Sequence, residues 1–377
     1  MNAPDVAVAG GGVIGLSVAW HSARRGLSVV LVDEEPGRSA SWAAAGMLAP
    51  VTEVHFGEEE LLRLNLASAE MYGQWVEELE EASGMSVGYR QTGTLMVARD
   101  ADENAALDEV FDYQVKLGLD AERLKSKECR SIEPGLATSV RGGIYVRGDH
   151  QVDNRALVSA LMEACTRAGV EFVRARVDRV TGGATASGVT LADGSDVECP
   201  SVVLAAGPWT NRIGGLAEGA IPPIRPVKGQ LLHLRGRPNA TIPQRTIRGV
   251  DVYVVPRADG RVIVGATVEE QGFDTTITAG AVFTLLRDAY ELLPGIAELE
   301  LTEVACGLRP ASKDNSPMIG PTEVPGLSVA TAHFRNGVLL APVTGELMAE
   351  HLAEGSVSSL MQPFLPERFA PAGRAAS

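Results

Sequence analysis

At 377 residues the chain exceeds the ~250–300 residues at which one hydrophobic core stops growing, so two domains are expected. A formal net charge of -15 opposes a nucleic-acid or anionic-membrane partner, while 45% hydrophobic residues is an ordinary globular share. The four cysteines form no CxxC pair and the six histidines no HxxxH or HxH spacing, which excludes a disulfide scaffold and a protein metal site. No apolar run reaches the ~18 residues of a membrane span. The opening MNAPDVAVAGGG lacks a basic n-region and a cleavage site, so a cytoplasmic chain is expected.

The first thirty-five residues read as strand, glycine turn, helix, strand and acid. Val6 to Ala9 is a short β-prone run, and Gly10, Gly12 and Gly15 form GxGxxG. Apolar residues then recur at helical spacing from Val13 to Ala23, Gly26 marks the stop, and Leu27 to Val32 reads as a buried parallel strand. Asp33 and Glu34 close the unit at the distance of a ribose-binding acid. The glycines serve different physical ends. Gly10 permits the tight turn, Gly12 lets the backbone approach a pyrophosphate, and Gly15 lets the helix pack against the strand. The helix N-terminus offers amides and a favourable dipole to the phosphates. The unit therefore binds a dinucleotide. The motif does not separate FAD from NAD, and Asp33 in place of a basic residue disfavours a 2′-phosphate.

Next comes ASWAAAGMLAP, whose small residues fit either a ligand lying against the segment or a close-packed helix start. Residues 58–82 form an amphipathic helix with Leu61, Leu62, Leu66, Ala69, Tyr72, Trp75, Val76 and Leu79 on its apolar side. TGTLMVARD is a strand before a helix over about 101–118. RGGIYVRGDHQVDNRALV is a strand, a loop and a helix capped by Asp153. VEFVRARVDRVTGG and GVTLADGSDVEC are strands of an antiparallel piece turning at Asp193-Gly194, and SVVLAAGPWTN is a buried strand ending at Ala205, Ala206 and Gly207. From IRPVKGQLLHLRG to VYVVPRADGRVIVGAT the strands are antiparallel, with Asp259-Gly260 as a turn. Gly337 opens a final apolar helix, just after Arg335. His333 is read either as a satisfied turn histidine or as a group touching a cofactor ring.

Parallel units interleaved with antiparallel blocks predict an α/β chain. A doubly wound FAD-binding domain of glutathione-reductase-like Rossmann type would comprise residues 1–85, 150–225 and 306–365. An interleaved, mostly antiparallel β-sheet substrate domain would comprise 86–149 and 226–305, and 366–377 a flexible tail.

The stretches GGGVIG, AAAGML, VVLAAGPW, PVKGQ, YVVPR, GRVIVGAT, GLRP, PMIG and HFRNGVLLAP carry, in this order, a family likeness over residues 5 to about 355. The chain resembles the FAD-dependent D-amino-acid oxidase superfamily, and within it the thiamine-pathway glycine oxidases. The resemblance implies FAD as cofactor, met at the pyrophosphate by Val13 and Ile14 and at the ribose by Asp33 and Glu34. Ala45, Gly46 and Met47 would run beside the flavin and Val177 would contact the adenine end. His333, Phe334, Arg335, Asn336, Gly337, Val338 and Leu339 would wrap the pyrimidine side. It implies further that Arg309 holds the substrate carboxylate as a two-bond fork, that Tyr253 shares it, and that Arg335 is a second arginine near the substrate.

The implied reaction is oxidative deamination of glycine, or of sarcosine or D-alanine, by molecular oxygen. Its products would be an imine, then an oxo acid, ammonia and hydrogen peroxide, and it would serve thiamine thiazole synthesis. Sarcosine oxidase and D-amino-acid dehydrogenase chemistry stand as alternatives on the same scaffold. The family's habit implies a homo-oligomer. One departure stands out: Cys306 occupies a place where glycine oxidases carry alanine, and in sarcosine oxidases a cysteine near it forms a thioether to flavin, so attachment at Cys306 is the alternative to non-covalent binding.

Overall fold

The computed structural model describes residues 3–237 and 240–369. Val6–Ala9, apolar throughout, sits at the centre of a six-stranded sheet, flanked in parallel by Val29–Val32 and Ser201–Leu204. Glu171–Val173 and Leu327–Thr331 extend the sheet in parallel, and Met318–Pro321 closes one edge antiparallel. Helices Val13–Arg24, Glu59–Ser83, Asn154–Arg167 and Ala341–Glu354 share one large core with it, in which Leu16, Trp20, Leu64, Tyr72 and Leu161 are buried. Both flanks of the central strand must be apolar because helices or sheets cover both faces.

A second, eight-stranded sheet is antiparallel except where Thr246–Arg248 runs parallel to Thr94–Ala98. Its long strands, Arg225–Arg235 and Glu300–Ala311, pair along their full lengths. Helix Ala279–Leu292 packs Leu285, Ala289 and Leu292 into this sheet's own core. A three-stranded sheet, Val177–Thr181, Gly188–Leu191 and Asp196–Glu198, lies beside the first. The expected α/β architecture, a doubly wound dinucleotide domain with an interleaved antiparallel sheet, is the one observed.

Several local expectations change. The expected domain cut at 306 falls inside Glu300–Ala311, whose ladder to Arg225–Arg235 continues to Ala311. VEFVRARVDRVTGG splits: Glu171–Val173 joins the parallel sheet, and only Val177–Thr181 is antiparallel. The second strand begins at Val29, since Gly26, with a left-handed φ of 87°, and the two residues after it complete the helix end. Leu66 is solvent-exposed, displaced from the buried stripe of helix Glu59–Ser83 that carries Leu61, Asn65, Ser68 and Tyr72. The last helix starts at Ala341 rather than Gly337; residues 337–340 form a turn in which Leu340 donates to Asn336 before Thr344 donates to Leu340. Of the expected tail, 366–369 form a short 3₁₀ turn and 370–377 lie outside the described residues. Asp153 caps its helix by accepting from Arg155 and Ala156, and Asp193-Gly194 and Asp259-Gly260 turn their hairpins.

Candidate active site

The glycine fingerprint is held by contacts that leave no room for side chains. Gly10 has φ 115°, and a Cβ on it would sit 2.5 Å from the Ala205 carbonyl oxygen. One on Gly15 would sit 1.9 Å from the Gly10 oxygen. Gly12 differs, since its nearest obstacle would be the Ser41 hydroxyl at 3.3 Å. Gly12 lines a large cavity and Gly15 does not, as expected of a glycine that serves helix packing. The Gly11 amide donates to Asp33 Oδ2 at 2.7 Å and the Glu35 amide to Asp33 Oδ1 at 2.8 Å, so the acid is locked to the turn it serves. Each carboxylate oxygen retains a second lone pair for a ribose hydroxyl. The Val13 amide donates to Ser41 Oγ at 2.9 Å, a contact from the alanine-rich segment to the helix N-terminus.

The cavity, about 1460 Å³, joins the two sheets. At one end lie Gly10, Val13, Ile14, Asp33, Glu34 and Val177; along its length lie Ala45, Gly46, Met47, Gly207 and every residue from His333 to Leu339. At the other end lie Tyr253 and Arg309. Every expected site residue except Gly15 therefore lines one space. Its volume exceeds the ~300–1,000 Å³ of a single small-ligand pocket, which leaves room for a dinucleotide and a small substrate together. Open backbone at Gly12, a helix N-terminus and an acid fixed behind the turn fit FAD. The segment after Ser39 satisfies both readings of ASWAAAGMLAP: Ala40–Ala43 is a short packed helix, and Ala44 to Met47 form cavity wall.

His333 is buried, with Nε2 3.0 Å from the Thr344 hydroxyl, and burial pushes its pKa down to about 3. It is thus both a satisfied turn histidine and a cavity-lining group, and it is neutral near pH 7. Its neighbours Ala332 and Phe334 take left-handed φ values of 60° and 47°, and the Phe334 amide donates to Pro310 at 2.9 Å.

The far end is made by side chains standing on the second sheet. Strand pleating sends alternate residues to opposite faces. Arg309, Gly307 and Ala305 share the cavity face of their strand, opposite Val227, Gly229 and Leu231. The Arg309 guanidinium folds over Gly229, where a Cβ would lie 2.4 Å from it. Arg309 Nη1 donates to the Thr267 carbonyl at 3.0 Å, and among the described residues no carboxylate pairs with it. A surface ion pair, the ordinary alternative for this arginine, is thereby removed. Tyr253 stands opposite Gly265, whose Cβ would lie 2.4 Å from the phenol ring. Burial pushes the Tyr253 phenol up and the Arg309 guanidinium beside it works against that shift, so the hydroxyl keeps its proton near pH 7.

Gly229 and Gly265, which seat Arg309 and Tyr253, are positions that motif reading passes over; their signal is a glycine in a β-run, the mark of a close approach. Glu53 and Arg248 were missed too. Arg335 Nε lies 3.4 Å from Glu53 Oε2 and its Nη2 3.3 Å from Glu58 Oε2, while Arg248 Nη1 donates to Glu53 Oε1. Arg335 lines the cavity but is engaged by acids. Cys306, three residues before Arg309, falls on the opposite face with Gln230 and Leu308 and is absent from the cavity wall, which rules out a thioether to a flavin held there.

Residues 5–351 match the family model described as FAD dependent oxidoreductase. The bifunctional protein ThiO/ThiG of a Synechocystis strain is 37% identical over 97% of this chain and 54% of its own length, so the chain spans about half of that relative. A solved glycine oxidase from Geobacillus kaustophilus superimposes with a TM-score of 0.89 at 32% identity, covering 98% of this chain and 99% of that one. A solved iminodiacetate oxidase from a Chelativorans strain gives 0.86 at 27%, covering 96% and 98%.

Proposed function

The chain belongs to the family of FAD-dependent oxidoreductases, and from that premise we propose that it oxidises glycine, or an amino acid nearly as small, to the imine. The observation that carries this reading is Arg309, without a carboxylate partner among the described residues, beside the Tyr253 hydroxyl, each seated over a strand glycine in the cofactor cavity. A guanidinium without a carboxylate partner, facing a protonated phenol, is a receptor for a carboxylate.

Arg309 fixes the position and rotation of the substrate carboxylate by two parallel bonds, and the Tyr253 hydroxyl donates a third. With the carboxylate held there, the amine and the α-carbon are directed along the wall made by Ala45 to Met47 and His333 to Leu339. FAD, when bound, supplies the two-electron acceptor for the α C–H and passes the electrons to oxygen. The amine must be neutral, with its lone pair free to form the imine. His333 is neutral, bonded to Thr344 and held by its own turn, so it serves as a fixed wall and no side-chain base is assigned. Water then converts the released imine to an oxo acid and ammonia. The resemblance to thiamine-pathway glycine oxidases and the similarity to ThiO/ThiG support a role in supplying an imine for thiazole assembly.

The test is anaerobic mixing of the yellow holoprotein with glycine, and separately with sarcosine and D-alanine, while the flavin band is followed. Bleaching by glycine that air reverses, with hydrogen peroxide formed, is the expected result. Bleaching by another amine alone changes the substrate. Dye reduction without oxygen uptake makes the protein a dehydrogenase, and no bleaching by any of the three sinks the proposal.

A further inference from the structure

Arg248 is directly opposite Tyr253 in the antiparallel ladder between Thr246–Arg248 and Tyr253–Pro256. Side chains of such a pair rise from the same sheet face with Cβ atoms ~4.5–5.5 Å apart. Both residues line the cavity, so a second guanidinium stands next to the carboxylate receptor. A third, Arg335, lines the same cavity and reaches the acid that Arg248 meets. A site with three arginines around one substrate should favour substrates bearing two anionic groups.

Glu53 prevents this. One of its oxygens accepts from Arg248 Nη1 and the other lies 3.4 Å from Arg335 Nε, so a single carboxylate spans both guanidinium groups. Glu58 takes the remaining reach of Arg335 at 3.3 Å. Two cations thus meet two anions, while among the described residues no carboxylate pairs with Arg309. The arrangement is partly buried, with 13% of the Glu53 side chain and 18% of the Arg248 side chain exposed, so solvent screens it only in part. Arg335 Nε is buried and lacks a well-aligned acceptor, so its hold on Glu53 rests on charge more than on geometry, while its Nη2 donates to Glu58 Oε2. Burial opposes ionisation of Glu53, but Arg248 and then Arg335 outweigh it, and the carboxyl sits below its usual range.

We propose that Glu53 is a specificity determinant: it occupies, as a built-in anion, a subsite on Arg248 and Arg335 that would otherwise take the second carboxylate of a dicarboxylic amino or imino acid. The proposal rests on the reading that Arg309 and Tyr253 hold a substrate carboxylate. A dicarboxylate entering the native site must either displace Glu53 from two arginines or lie against its negative charge, and both disfavour it relative to a monocarboxylate.

The experiment measures binding of non-oxidisable acids to the FAD-loaded protein by calorimetry, with acetate set against malonate, succinate and glutarate. In Glu53→Gln, at least one dicarboxylate gains tenfold or more in affinity while acetate changes less than threefold, and adding Arg248→Met to that variant abolishes the gain. Arg248→Gln in the native background moves the dicarboxylate-to-acetate ratio the other way, because Glu53 loses a partner; this arm carries the test if Glu53→Gln does not fold. No dicarboxylate gain in Glu53→Gln, a gain that survives loss of Arg248, or an unmoved ratio in Arg248→Gln overturns the proposal. Acetate affinity in Arg309→Ala is read separately: if it is unchanged, the carboxylate receptor itself is wrong, whatever Glu53 does.

Discussion

The two ends of the cavity are built from different materials. The dinucleotide end is main chain: a left-handed glycine turn, a helix N-terminus and backbone amides, with Asp33 tied to the Gly11 and Glu35 amides. The proposed substrate end is side chain: Arg309, Tyr253, Arg248 and Glu53, brought from separate strands and one loop to a single sheet face. A main-chain site tolerates almost no added volume, whereas a side-chain site tolerates rearrangement and so can be retuned. The same scaffold can therefore keep one cofactor and change its substrate at the other end.

Substitutions at the two ends should fail in different ways, and the largest effect belongs to the main chain. Gly15→Val places atoms where even a Cβ would lie 1.9 Å from the Gly10 oxygen, so the protein should be recovered without flavin or insoluble, as read from its visible spectrum. A yellow, soluble variant would show that the fingerprint is looser than its contacts.

Arg309→Ala leaves the spectrum intact and should raise KM for glycine about 100- to 1000-fold, because a charge-assisted pair is lost from a partly desolvated site. Loss of flavin instead would erase the distinction between the two ends. Gly265→Ala sharpens it: the new methyl displaces the Tyr253 ring, 2.4 Å from it, and steady-state kinetics should show roughly tenfold to a hundredfold lower kcat/KM with flavin content unchanged. Gly229→Ala should act similarly through Arg309.

The smallest effect is on acid stability. Burial depresses the His333 pKa to about 3, below its unfolded value near 6.5, so the unfolded chain binds the extra proton between those limits. The stability contribution is whole above about pH 6.5 and is lost as pH falls toward 3. Thermal melts should show Tm falling by roughly 2–5 °C more between pH 7 and 5 in the native protein than in His333→Asn. Equal slopes would mean that the ring is hydrated rather than buried.

Much of the cofactor end was legible in residue order alone. GxGxxG followed by an apolar helix, a buried strand and Asp33 specifies a βαβ cradle, because the close approach of Gly15 to Gly10 and the bond from Gly11 to Asp33 join residues within one short span of chain. The errors there were of boundaries: the strand starting at Val29, the helix starting at Ala341, and a domain cut placed inside Glu300–Ala311. At the substrate end, Arg309, Tyr253 and Arg335 came from family resemblance, since an arginine after CGL carries no local signal that separates a ligand clamp from a surface ion pair.

What the sequence by itself determined is the chemistry within reach of one βαβ unit, because steric exclusion at glycine and hydrophobic periodicity act over a few neighbouring residues. The tertiary structure alone decided which charges are free. Arg309 and Arg248 are equally cationic in the sequence, yet Arg309 faces the cavity with no acid beside it among the described residues, while Arg248 meets Glu53, 195 positions away, across a chain closure that no local pattern encodes. The pleat likewise turned Cys306 away from the cofactor wall, because three residues along a strand reverse a side chain's face.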